Sequence, residues 1–377
     1  MDVTVVSLEL LRRLARLRVR PGPVVSLYVD LDPRTTVSER DVQSRLRSLL
    51  HAVCSESEEG LDHEQRASLR ADRERFARLA TYGFERDGAA SLAVFASAGA
   101  GLWEELRLPV PLDDAVVVDR EVHLTPLVPT LGEREEALVA FANRRRGSLY
   151  RVEDGTIEEL VDLSDGGVPS RHDQGGWSQA NYQRHVDELA LRHLRAVAEE
   201  LDRRFRRRGR PPVVLVCPED ERADFERLLS SDVSSAVVGW TSVEAHAPAS
   251  AIAQAVKPLL EDHRAARERD LVERWSAERR QGRHATCGWD EVFAALREGR
   301  VDRLLYRRGA VATAYRCGSC GAPSAAPGAC LVDGGPLEPV DAANLAVLRT
   351  LAAGGVPVAL DDPARLGGED VCALLRW

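Results

Sequence analysis

Two stretches of this chain combine residue types at spacings that chemistry needs. The first is Arg171-His172-Asp173-Gln174-Gly175-Gly176-Trp177-Ser178-Gln179, followed closely by Tyr182, Arg184 and His185. Paired glycines let a backbone adopt positive φ and come close to another molecule with no side chain between. Arg171, His172 and Arg184 supply groups that meet phosphates, and a glutamine amide both donates and accepts hydrogen bonds. On grammar alone the stretch reads equally as a solvated surface loop, because short motifs recur by chance. The second stretch is Cys317-Gly318-Ser319-Cys320 followed by Gly321, with nine residues separating Cys320 from Cys330-Leu331-Val332-Asp333-Gly334. That is the outline of a zinc ribbon whose fourth thiolate has become a carboxylate. Cys317, Cys320, Cys330 and Asp333 are therefore expected to hold a structural Zn2+; the other reading is a relic ribbon without metal. A redox role fits less well, since no thioredoxin-like helix starts at this Cys-x2-Cys.

Other chemistries fall away on inspection. Gly176-Trp177-Ser178-Gln179-Ala180 approaches the Gly-x-Ser-x-Gly elbow of serine hydrolases, with His172 and His185 nearby. The elbow must follow a buried apolar strand, whereas Pro169-Ser170-Arg171-His172-Asp173 is polar and broken by proline. Asp113-Asp114 and Asp361-Asp362 sit in turn-like contexts and read as caps, not acid–base dyads. No glycine-rich phosphate loop with its lysine is present, which removes ATP and GTP hydrolysis. The run Arg203-Arg204-Phe205-Arg206-Arg207-Arg208-Gly209-Arg210 has the look of a solvated helix end, favoured there by the dipole. Its functional alternative is phosphate contact through Arg203, Arg204 and Arg207, with Arg144-Arg145-Arg146 as a second patch.

The elements that must position these residues begin with bulk properties. A net charge of −9 over 377 residues argues against a protein that coats nucleic acid, so DNA is not expected as a partner. Nearly every basic residue is arginine, with Lys257 the only lysine, which reads first as codon bias. No window approaches the roughly 18 uninterrupted apolar residues of a membrane span, so no membrane partner is expected. Met1 to Val19 mixes apolar residues with arginines and lacks a secretory h-region, so a cytoplasmic location is expected. Cys54, Cys217, Cys287 and Cys372 are scattered and read as buried free thiols.

The length suits two or three domains, and three segments are expected: 1–125, 126–283 and 284–377. The first carries an amphipathic helix, the strand Val24–Val29, two charged helices (38–55 and 63–81), and strands near 91–95 and 115–118. The second opens with the apolar strand 137–142 and a hairpin, 147–152 and 156–160, turned at Asp154-Gly155. A polar loop, 165–179, precedes a long helix on which Val186, Leu189, Leu194, Val197, Leu201 and Phe205 recur at helical spacing. The strand 213–216, a helix, a short strand 236–239 and a helix over 251–280 complete an α/β unit. The third segment has a helix bearing Trp289, Val292, Phe293 and Leu296. Strands 301–306 and 310–315, the cysteine insertion, a helix over 342–351 and a strand 356–360 follow.

These features resemble the archaeo-eukaryotic class-I peptide chain release factor and Pelota family in its bacterial form. That family carries a Gly-Gly-Gln loop in a middle α/β domain. Here Gly175-Gly176 match the glycines, and Ser178, Tyr182 and Arg184 match the start of the following helix. Trp177 stands where the family has glutamine, and the nearest glutamine downstream is Gln179. Either Gln179 serves in a reshaped loop, or the glutamine's role is lost. The third segment repeats the family's Gly-x-Val-Asp-x-Leu-Leu as Gly299-Arg300-Val301-Asp302-Arg303-Leu304-Leu305, its cysteine-built insertion, and a closing Ala373-Leu374-Leu375-Arg376-Trp377. The resemblance covers about two-thirds of the chain and implies a three-domain α/β release-factor-like architecture. It implies a ribosome partner (rRNA and tRNA) and a translational GTPase. It also implies hydrolysis of peptidyl-tRNA with Gly175, Gly176 and Gln179 at the reacting ester. Arg171, His172, Trp177 and Arg184 would then be RNA contacts. The first segment shows no Asn-Ile-Lys-Ser motif, so stop-codon reading is not expected. Occupation of the tRNA site without catalysis, as in hibernation, is the alternative function.

Overall fold

The computed structural model describes residues 4, 6–17, 19, 22–32, 38–56, 61–82, 88–131, 136–144, 146–153, 156–163 and 177–377. For 39, 50–56, 80, 82, 177–187, 363 and 364 it describes the backbone alone. The chain divides into two compact units, one made of 1–131 with 271–377 and one of 132–270.

The first unit begins with α1 (Leu8–Ala15), β1 (Val24–Asp30), α2 (Glu39–Glu56), α3 (His63–Tyr82), β2 (Ser91–Ser97), β3 (Leu102–Leu108) and β4 (Ala115–Asp119). The strands form an antiparallel sheet in the order β3-β2-β1-β4. Alternation along β1 explains its nearly continuous apolar sequence. Val25, Leu27 and Val29 face Val42, Leu46, Leu69 and Phe76 of α2 and α3, while Val24 and Tyr28 face a second core on the opposite side. β3 was not legible in the sequence, because Leu-Trp-Glu-Glu-Leu-Arg-Leu is the mixed pattern of an edge strand with one wetted face.

The second unit holds β5 (Ala137–Ala142), β6 (Gly147–Glu153), β7 (Thr156–Asp162), α4 (Trp177–Arg207), β8 (Val213–Val216), α5 (Glu219–Leu228), α6 (Ser231–Ala236), β9 (Val237–Thr241) and most of α7 (Ala249–Arg280). Its sheet runs β7-β6-β5-β8-β9, with β5, β8 and β9 parallel. Leu194, Val197, Leu201 and Phe205 of α4, with Phe225 and Val233, cover one face; Ile252 and Val256 of α7 cover the other. This is a three-layer α/β sandwich, and its central strands are buried on both sides, as their uniform apolarity requires. The hairpin turn at Asp154-Gly155 lies outside the described residues.

The chain returns to the first unit with β10 (Ala285–Cys287), α8 (Trp289–Arg297), β11 (Val301–Arg307), β12 (Thr313–Cys317), β13 (Pro323–Ser324), β14 (Leu337–Asp341), α9 (Ala342–Ala352), β15 (Val356–Leu360) and β16 (Val371–Leu375). One sheet runs β10-β16-β11-β15 and a smaller one β13-β12-β14. The two ends of the sequence share one core: Leu11, Leu14, Tyr28, Phe95 and Leu124 are buried with Val292, Phe293, Leu304, Leu345 and Leu348. Asn344, in an otherwise apolar helix, is explained by this junction. Its amide donates to the Val122 carbonyl at 3.0 Å and its oxygen accepts from the Leu124 N–H at 2.8 Å. Those backbone groups would otherwise be buried without partners.

The reading of Cys287 and Cys372 as free thiols is corrected. They lie directly opposite on β10 and β16 and form a disulfide across 85 residues of sequence. Strand order, which spacing does not reveal, brings them together. Cys217 remains a buried free thiol.

Candidate functional site

The glycine pair leads directly into α4. Gly175, Gly176, Arg171 and His172 lie outside the described residues. Trp177 is the first residue of α4, so Gln179 belongs to its first turn and not to the loop that precedes it. Arg184 lies two turns further on the same helix, again with only its backbone described. At 1.5 Å per residue, the 31-residue helix is about 46 Å long. Its described buried positions run from Ala190 to Phe205. The first-turn N–H groups of any helix lack intrahelical acceptors, and with the dipole they favour an electron-rich group at that end.

At the other end of α4 the arginine run is largely neutralised. Arg203 and Arg204 both pair with Glu200, the latter at 2.7 Å, and Arg206 pairs with Asp202 at 2.8 Å. Arg208 pairs with Glu136, and Arg210 with Asp232 at 3.4 Å. Arg207 is exposed and has no carboxylate partner among the described residues.

The cysteine insertion does converge. One ligand atom from each of Cys317, Cys320, Cys330 and Asp333 falls within 4.8 Å of all the others. The sulfurs of Cys320 and Cys330 are 3.6 Å apart, and Cys317 Sγ lies 3.3 Å from Asp333 Oδ1. A tetrahedron with metal–sulfur bonds of about 2.3 Å has sulfur–sulfur edges of about 3.8 Å, so the donor set fits a tetrahedral ion. The two halves are built alike. Cys317 O accepts from Gly321 N at 3.0 Å and Cys330 O accepts from Gly334 N at 2.9 Å. Gly321 (φ +74°) and Gly334 (φ +71°) then turn the chain away in the left-handed region, which favours glycine. The Gly335 N–H donates to Asp333 at 3.0 Å and holds its carboxyl down to about 2, helped by the thiols around it. N–H groups of Cys320 and Ser319 aimed at its sulfur lower the Cys317 pKa. Desolvation of its sulfur pushes Cys320 up to about 12, although the residue as a whole is exposed.

A buried cation, Arg316, and a partly buried one, Arg349, tie this knuckle to the first stretch of the chain. Arg316, next to Cys317, pairs with Asp119 at 2.9 Å and Glu121 at 3.1 Å. Arg349 donates to Glu121 at 2.9 Å and to the Gly321 carbonyl at 2.8 Å. Burial pushes the Glu121 carboxyl upward, but Arg349 and then Arg316 outweigh it and leave it lowered. Sequence reading missed these residues, because no local spacing links 119–121 to 316 and 349.

Glu221, in the first turn of α5, was also missed. It is 8% exposed, 3.6 Å from Arg144, and its Oε2 is buried with no hydrogen-bond partner. Burial pushes its carboxyl up from 4.5 to about 7 against the pull of Arg144. A raised acid binds a proton in the native state that the unfolded chain has released, so stability falls as pH rises between those two values. Glu221→Gln is therefore expected to stabilise the protein by about 1–2 kcal/mol at pH 8 and by almost nothing near pH 4. Urea unfolding at both pH values checks this, and equal shifts at both would remove the assigned cause.

A three-layer α/β unit with a long helix, in one chain with a cysteine-knuckle α/β unit, is the arrangement against which similar proteins are compared. Residues 123–264 match the model of bacterial archaeo-eukaryotic release factor family 10. Peptide chain release factor subunit 1 of Thermoplasma acidophilum is 27% identical over 240 residues, which span 58% of this chain and 56% of that protein. Among solved structures, an archaeal translation termination factor, aRF1, aligns over 99% of both chains at 15% identity and a TM-score of 0.29. Archaeoglobus fulgidus Pelota aligns over 78% of this chain and 82% of its own at 15% identity and a TM-score of 0.36. Over these residues the chain is similar to bacterial archaeo-eukaryotic release factors, and it spans about half the length of the curated relative it matches. Among the described residues, no helix is long and apolar enough to cross a membrane.

Proposed function

We propose that the protein is a cytoplasmic, ribosome-associated factor that releases nascent peptide from peptidyl-tRNA during rescue of stalled ribosomes. The observation that carries this reading is the start of α4 at Trp177, directly after Gly175-Gly176 and two residues before Gln179, within the family-matched segment. Ester hydrolysis inside the ribosome's RNA centre needs no protein nucleophile. Water attacks the carbonyl, and the factor contributes position and donors for the developing negative charge. The glycine pair allows backbone to reach the ester, first-turn N–H groups of α4 face the oxyanion, and the Gln179 amide orients the water. Arg171, His172, Trp177 and Arg184 contact tRNA and rRNA, with Arg207 the most available cation at the far end of α4. A translational GTPase delivers the factor.

Cys317, Cys320, Cys330 and Asp333 hold one structural Zn2+, which supplies rigidity to an insertion with little core of its own and takes no part in hydrolysis. Trp177 in the glutamine position favours a second reading, a hibernation factor that fills the tRNA site and leaves the ester intact.

Peptide release from stalled ribosome complexes separates the two. Release by the wild type that falls at least about 100-fold in Gln179→Ala and Gly176→Ala is the expected result, the size of losing an oxyanion or water-orienting donor. Ribosome binding without release by any of the three proteins selects the hibernation reading.

A further inference from the structure

We propose that the end of α7 and the adjoining sheet edge form a docking surface for single-stranded RNA. The surface lies in the first unit and goes beyond the role assigned to α4. Arg279, Arg280 and Arg283 are exposed, and none has a carboxylate within ion-pair distance among the described residues. Arg300, whose carbonyl accepts from the Arg376 N–H, is by contrast compensated by Glu298. The Arg279 guanidinium lies over the Trp275 ring at 5.9 Å. Gly282, with φ +62°, turns the chain out of the helix, and Arg283 follows it.

Backbone register brings an aromatic ring to the same place. β10 is an edge strand; Ala285 lies opposite Leu374 of β16, and Leu375 N–H donates to the His284 carbonyl at 2.8 Å. Two residues past the end of β16 at Leu375 is Trp377, 61% exposed. The run 279–284 therefore presents three arginines and a histidine with no carboxylate among them, at an edge that ends in an exposed indole. Glu278 is the acid closest in sequence, and its carboxylate accepts the His284 N–H at 3.4 Å.

Phosphodiester oxygens match the guanidinium forks, and an unpaired base has a flat face to lay on the indole. Duplex nucleic acid keeps its bases stacked inside and offers no such face. An acidic peptide would meet the cations alike but has no requirement for the ring. Both halves of the surface are used together only by a single strand.

Binding of the full-length protein to a fluorescein-labelled oligouridylate, followed by anisotropy from about 50 to 200 mM salt, tests this. Reversing Arg279, Arg280 and Arg283 to glutamate is expected to weaken binding more than about tenfold and flatten the salt slope by about 2. Trp377→Ala is expected to weaken it roughly tenfold with the slope unchanged. Replacing the three arginines by lysine keeps the slope and reports on the fold. Arg227→Glu, on α5 of the second unit, leaves affinity unaltered. The proposal is overturned if wild type fails to bind at low salt, or if the glutamate variant binds as wild type does. A poly-glutamate peptide that binds as tightly as the RNA, with Trp377→Ala indifferent, overturns it in favour of an acidic protein partner.

Discussion

Cys317→Ser is expected to reduce bound zinc from one per chain to near zero and to lower the thermal midpoint by roughly 5–10 °C, equivalent to about 3 kcal/mol. The reason lies in how little else holds this region. β13 is two residues long and β12 and β14 are five each, while 326–334 is exposed apart from Cys330. Serine keeps the shape of the side chain but gives up a thiolate, the group that zinc prefers. Asp333 supplies the contrast. Asp333→Cys completes a four-thiolate set and is expected to hold metal at least as tightly as wild type, whereas Asp333→Ala loses it. Metal content by mass spectrometry, with calorimetric unfolding before and after chelation, reads all three variants. Wild type that purifies without metal and gains no stability from added zinc would sink the assignment.

The second large effect belongs to Arg316, whose side chain is only 6% exposed. Arg316→Met is expected to cost about 3–5 kcal/mol, because it strands the carboxylates of Asp119 and Glu121 in partly buried positions with one cation where there were two. Coupling to Glu121 is the sharper measurement. In a double-mutant cycle with Glu121→Gln, the combined loss is expected to fall short of the sum by about 1–3 kcal/mol. A single-site cost below about 1 kcal/mol would mean that the pair is screened as a surface pair is. The pH dependence follows from the lowered Glu121 carboxyl. Its contribution is present above the carboxyl's ordinary range and is lost as pH falls through the lower folded value. Amide exchange in 117–124 should quicken in Arg316→Met, since these strand and linker amides are held by the same junction.

Local repetition made much of this molecule legible before any coordinates. The buried face of α4 follows from Leu194, Val197, Leu201 and Phe205 at helical spacing, and the parallel strands of the second unit follow from uninterrupted apolar runs. The knuckle follows from Cys-x2-Cys and Cys-x2-Asp, because each half closes over four residues and needs only its own backbone. The neutralisation of Arg203, Arg204 and Arg206 was equally local, through Glu200 and Asp202 one helical turn earlier. A reading that weighs the cations alone overlooks it.

Tertiary structure alone decided the rest. The Cys287–Cys372 bond, the bridge from Asn344 to Val122 and Leu124, and the clamp of Arg316 and Arg349 on Glu121 each join residues far apart in sequence. Their partners are fixed by strand order and by which faces of two sheets share a core, and composition and periodicity carry neither. The edge strand β3 was hidden for a related reason, since a strand wetted on one side has no continuous apolar signal, and β10 because three residues are too few to show a period. Residue types, local spacings and buried faces are written in the sequence, since each depends on neighbours within a few positions. Which distant charges, thiols and amides meet is set only when the layers pack.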